Sequence, residues 1–305
     1  MGPLRRAGAA VVGICCLALT LVGVNAARDD PGRVPRPAVG YPFGGVIRFS
    51  PAQRAALSQA QQESVAACMA ARGLRYEIPP PLPAVPEPDN PYGLLGEDEA
   101  RSSGYSLSLH QGQDSQLKDL LKSVPATQRG RWKQALFGTT AHRKVVSLPG
   151  GGEIFFNTDG CVQRARTHLY GARWDPLQYT FQALSLQVTT AVQRSGPVRA
   201  AHRQWAACMK GEGIRAGTPQ HSRAMVADEL KRPAAGAPHR KEVARFELRV
   251  ATQDARCQRT SALAPAVADA AAREERRILR TRADELHLLN NLKSAALSRV
   301  KGELS

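Results

Sequence analysis

The stretch AACMAARGLR at residues 66–75 returns as AACMKGEGIR at residues 206–215. The shared pattern A-A-C-M-x-x-x-G-[LI]-R reads as the end of a helix followed by its stop. Gly73 and Gly213 suit the residue just past a helix C-terminus, where the backbone turns left-handed. Each cysteine lies three residues after an apolar position, Val65 in the first copy and Trp205 in the second, so both thiols share a packed face. Each copy is followed by a helix that carries a cysteine with an aspartate just upstream: Asp159-Gly160-Cys161 and Asp254-Ala255-Arg256-Cys257. Four cysteines allow three connectivities. The recurring order favours Cys68–Cys161 and Cys208–Cys257, which close loops of about 93 and 49 residues. In the chain-entropy view each bridge contributes roughly 4–5 kcal/mol. That is a large share of the stability of a chain with only 5% aromatic residues.

Disulfides call for an oxidising compartment, and the N-terminus points to one. Arg5 and Arg6 precede an uncharged apolar run at residues 7–24, and Val24-Asn25-Ala26 offers small residues at a cleavage site. These are the parts of a secretory signal peptide, residues 1–26, cut after Ala26. The competing reading is an uncleaved membrane anchor, because the run could just span a bilayer. Cys15 and Cys16 sit inside the run and follow no small residue, so they make a poor lipidation site.

The rest of the chain reads as mainly α: a helical bundle with one small β-hairpin at about 144–157, two disulfides and a long C-terminal helix. Residues 27–49, rich in Pro and Gly, read as a flexible linker. A first disulfide-linked helical module with the hairpin covers 50–171, and a second with the long helix covers 172–305. Ser50-Pro51-Ala52-Gln53 is a capping box that opens the first helix. PPPLPAVPEPDNPYG (79–93) is an extended connector, and Glu97-Asp98-Glu99 reads as a solvated loop. KVVSL-PGGG-EIFFN supplies the hairpin. Asp159 is placed to cap the helix of Cys161, and Asp175-Pro176 to start another, with Leu177, Phe181, Leu184, Val188 and Val192 on one stripe. Residues 214–238 read as irregular apart from one short helix after Ser222. From Pro265 to about Lys301 nothing breaks the helix, which would reach roughly 50 Å. Its seam of Leu279, Ala283, Leu286, Leu289, Ala296 and Val300 either packs along the body or projects as a coiled-coil arm for a protein partner.

The cysteine order, with DGCVQRARTHLYG (159–171) between the two C-M-x-x-x-G units and D-x-x-C before a long charged helix, resembles a group of exported actinobacterial (Streptomyces-type) proteins of uncharacterised function. The resemblance spans about residues 50–305. It implies an extracytoplasmic address and two structural disulfides, and it implies no activity. Unlike others of that group, this chain has no convincing lipobox.

Charge gives the strongest hint of a partner. The chain holds 42 Lys and Arg against 26 Asp and Glu. The excess is confined to one part: residues 27–113 carry 8 basic and 9 acidic groups, residues 114–305 carry 32 and 17. An anionic wall polymer or anionic lipid surface would meet the C-terminal two thirds, and export argues against nucleic acid. Catalytic signatures are sparse. Ser115-Gln116-Leu117-Lys118 matches S-x-x-K, which would support a wall-acting hydrolase or acyltransferase with Ser115 as nucleophile and Lys118 as base. Its companion motifs S-D-N and K-T-G are absent, and Ser298-Arg299-Val300-Lys301 matches as well. Met69 and Met209 beside thiols could in principle form a soft copper site, but core packing explains them more simply. The histidines show no metal spacing, and Asp159 and Asp254 are read as structural rather than as an acid pair. The expectation is an exported, non-enzymatic cell-envelope protein without catalytic residues, cofactor or metal.

Overall fold

The computed structural model describes residues 40–80, 90–109, 124–232 and 237–302. Among them are nine α-helices and one two-stranded antiparallel sheet. The helices are α1 (Pro51–Ala70), α2 (Glu97–Ser103), α3 (Arg129–Phe137), α4 (Cys161–Tyr170), α5 (Trp174–Arg194), α6 (Gly196–Gly211), α7 (Pro219–Lys231), α8 (Ala237–Thr260) and α9 (Leu263–Gly302). Strands β1 (Arg143–Ser147) and β2 (Glu153–Asn157) form the hairpin, with Val145 opposite Phe155 and Val146 opposite Ile154.

The capping box is present: the Gln53 N–H donates to Ser50 Oγ, and the Ser50 N–H to Gln53 Oε1. The stripe of α5 is buried throughout, from Leu177 through Phe181, Leu184 and Val188 to Val192. It forms the main core with Leu57 of α1, Val198 of α6, and Val267, Ile278, Leu289, Ala296 and Val300 of α9. Helix α9 therefore packs along the body. Of its apolar seam, Leu289, Ala296 and Val300 are buried and Leu279 and Leu286 pack against the core, while Ala283 is exposed next to the non-helical residue Arg282. Because this core draws on residues before and after 171, the two disulfide-linked stretches share one hydrophobic interior.

Several local expectations change. Residues 40–49, the described end of the expected linker, hold a short 3-10 turn (Pro42–Gly45) whose Phe43 packs edge-on against Phe181 at 5.2 Å. Lys293 of α9 secures that turn by donating to the carbonyls of Gly45 and Arg48. The acidic run at 97–99 is the first turn of α2, where carboxylates face unpaired N–H groups and the positive end of the helix dipole. The stretch after Ile214 contains a full helix, α7: Thr218 caps it by accepting from the His221 N–H, and Pro219 takes the first position. The cap at α4 is Gly160, without a side-chain bond, so Asp159 does not cap that helix.

Candidate functional site

The two C-M-x-x-x-G units end their helices in the same way. The Leu74 N–H donates to Met69 O at 3.0 Å, and the Ile214 N–H to Met209 O at 2.9 Å. Gly73 and Gly213 take left-handed φ of 70° and 77°. This is the Schellman arrangement, which returns two backbone carbonyls to hydrogen bonding at each helix end. It also fixes the role of the methionines. Met69 packs in one cluster with Leu74, and Met209 in another with Ile214, each as the apolar partner across the stop. Neither thioether faces an open site.

Cys68 is bonded to Cys161 and Cys208 to Cys257, with Cα separations of 5.6 and 5.7 Å. Each joins a half-buried cysteine at a helix end, on α1 or α6, to a fully buried one on a later helix, α4 or α8. Two such bridges mark a chain that folds in an oxidising, extracytoplasmic compartment. Among the described residues, no helix is long and apolar enough to cross a membrane, and no group of three or more His, Cys, Asp or Glu could hold a metal ion.

The aspartates beside the bridges lie in different settings and share no partner. Asp159 accepts from the Thr139 N–H and Oγ1, both at 2.9 Å, and has His142 Nδ1 at 3.3 Å. The Thr139 amide bond holds its carboxyl below the ordinary value. Asp254 is wholly buried. Its Oδ1 accepts from Trp205 Nε1 at 2.9 Å and Gln258 Nε2 at 2.7 Å; its Oδ2 accepts from Tyr105 Oη at 2.8 Å and has Ser222 Oγ at 3.0 Å. Ser222 has one proton, and Pro219 O lies 2.8 Å from it as a second acceptor. Burial raises the Asp254 carboxyl, and the surrounding donors oppose that shift. Burial also brings the neighbouring Arg223 guanidinium, 4.7 Å above the Tyr105 ring, down to about 10 against the pull of Asp254.

Gln258 extends the network by accepting from the Leu95 N–H and donating to Gly93 O. Glu247, also buried, accepts from the N–H groups of Leu107 and Ser108. These bonds bind residues 93–108 onto α8. With Asp254, Glu247 and Gln258 all buried, the network serves to order the chain.

The chemistry available to a partner lies at the surface. On α9, Arg273, Arg276, Arg277 and Arg280 follow i, i+3, i+4, i+7 spacing and are all exposed. Arg277 pairs with Glu274 at 2.8 Å, whereas the other three make no ion pair among the described residues. The hairpin forms a second feature, flanked by α5. Ser115 and Lys118 lie outside the described residues. No family model, curated protein or solved structure matches the chain.

Basic charge counted by region hides the arginine row, which exists only in helical phase. The row could have been found: REERRILR contains the spacing outright.

Proposed function

We propose that the protein is an exported, non-enzymatic envelope protein that holds an anionic wall polymer along the arginine face of α9. The observation carrying this reading is the row Arg273, Arg276, Arg277, Arg280, one turn apart on a helix whose opposite side is anchored in the core. A rigid row of guanidinium groups suits a polymer with repeated negative charge, since neighbouring phosphates or carboxylates can be met together. Two disulfides fit service outside the membrane. The N-terminal segment supplies export, with cleavage after Ala26, and the N-terminal residue of protein recovered from culture checks that.

Retention on isolated cell walls tests the binding. The native protein is expected to elute progressively as salt rises, because exposed charges are screened over about 3 Å at 1 M ionic strength. Arg273→Glu, Arg276→Glu and Arg280→Glu together should elute at clearly lower salt with unchanged thermal unfolding. Retention indifferent to salt and to the triple variant overturns the reading.

A further inference from the structure

The hairpin and α5 enclose an open groove of about 1060 Å³. Leu148 and Ile154 form part of the hairpin wall, Ala183 and Leu186 part of the helix wall, and Arg194 and Arg277 stand at its sides. Among the described residues, no aspartate or glutamate lines it. Leu186 is 68% exposed, the most exposed large hydrophobic residue among those described. A lone exposed leucine is ordinary, but this one faces a groove with further apolar walls and a net positive lining.

The hairpin register adds an independent feature. The Leu148 N–H donates to Gly152 O and the Thr158 N–H to His142 O, so the bonded pairs between them are Val146 with Ile154 and Lys144 with Phe156. Glu153 and Phe155 consequently turn their backbone N–H and C=O groups out of the free edge of β2. No described residue bonds them there. The strand that lines the groove through Ile154 thus also carries an open edge, and an open edge is the geometry by which a sheet takes up an extended segment as an added strand.

We propose that this groove binds an extended acidic peptide segment of a partner protein, added as a third strand at the edge of β2. Alternate side chains of such a segment point to one face. One set would cover Leu148, Ile154 and Leu186, while its carboxylates meet Arg194 and Arg277. A peptide suits the lining better than a lipid chain. Tyr179, Gln182, Gln187 and Thr190 also line the groove and offer directional bonds that an acyl chain would leave desolvated. The polymer reading rests on the row Arg273, Arg276, Arg277 and Arg280, of which Arg277 alone also lines the groove, so the groove proposal stands on Leu186, Arg194 and the hairpin edge.

The test is fluorescence anisotropy of the mature protein with a fluorescein-labelled nonapeptide of alternating glutamate and valine. Saturable binding is expected, weakened by roughly tenfold or more in Leu186→Glu and in Arg194→Glu. Both residues are exposed, so the thermal unfolding of these variants should match the native protein. Slower hydrogen exchange at the Phe155 amide on binding would report the added strand. Arg199→Glu, exposed on α6 and outside the groove, should bind as the native protein does. The proposal is overturned by any of four results: no saturation up to about 1 mM peptide, equal binding of a control nonapeptide with lysine in place of glutamate, undiminished binding in either groove variant, or capture of phosphatidylglycerol vesicles through Leu186 and Arg194 without peptide binding.

Discussion

The Cys68–Cys161 and Cys208–Cys257 bridges repeat one device in unlike surroundings. At the first, Arg72 reaches out from the helix end and donates to Ala135 O and Asp159 O, while Trp132 Nε1 donates to Arg75 O. The neighbouring Asp159 lies near the surface and holds a loop. At the second, the position matching Arg72 is Glu212, whose contact with Arg256 is an exposed one at 3.9 Å. There Asp254 reaches inward from α8 and takes the bond of Trp205. One bridge is tied to backbone carbonyls through a cation at the rim, the other to side chains through a buried anion. The difference shows that the repeated pattern specifies the helix stop and the bridge, and leaves the anchoring of the next segment to each copy.

The largest expected effect is loss of a bridge. Replacing Cys68 and Cys161 by serine, or Cys208 and Cys257, should each cost roughly 4–5 kcal/mol. Loop-closure entropy makes the 93-residue loop the costlier to release by only about 0.6 kcal/mol. Denaturant unfolding of the two double variants measures the gap. If the second bridge proves the more important, the buried network at Asp254 depends on it.

Next in size comes Asp254→Ala. It leaves the Trp205 N–H buried without an acceptor and removes a nearby anion from Arg223. Ser222 and Gln258 keep other partners in Pro219 O and Gly93 O. The expected loss is about 2–4 kcal/mol. Asp159→Ala should cost clearly less, since water can reach the groups it releases. Equal losses in the two variants would erase the distinction between the anchors.

That distinction lay beyond the sequence. The helix stops, the hairpin and the two bridges were legible because each follows from residues close in the chain: a glycine after a helix, a Gly-rich turn between β-branched runs, an ordered set of cysteines. Asp159 and Asp254 look alike by the same local measure, each a few residues before its cysteine. What separates them is Tyr105, brought to Asp254 across 149 residues of sequence, and Thr139, brought to Asp159 across 20. Phe43 was hidden similarly: glycine and proline around it suggest a linker, and only the packed face of α5 makes it core. The groove is also a product of assembly, because neither the hairpin nor α5 has a concave surface alone.

The helix ends should respond alike where the anchors differ. Gly73 and Gly213 both have open space around a would-be Cβ, so Gly73→Ala and Gly213→Ala test backbone conformation alone. Each should cost about 1–2 kcal/mol, and the two values should agree closely in thermal unfolding. A large disparity would mean that the two stops are not the same device.

The smallest effect carries the sharpest sign. In the fold, Asp159 titrates below its ordinary 3.8 and Asp254 above it. Stability from Asp159 is therefore present above the unfolded value and is lost as pH falls through the folded one. Asp254 acts in the opposite sense. Between the ordinary value and its raised folded one, the native state binds a proton that the unfolded chain does not, so stability falls as pH rises through that window. Carboxyl carbon NMR should show two aspartates displaced to opposite sides of 3.8. Asp254→Asn should remove only the upper one, together with its slope in the pH dependence of unfolding. If the resonance lost in that variant titrates below the ordinary value, the donors around Asp254 outweigh its burial, and both copies of the repeat hold their carboxylates in the same electrostatic sense.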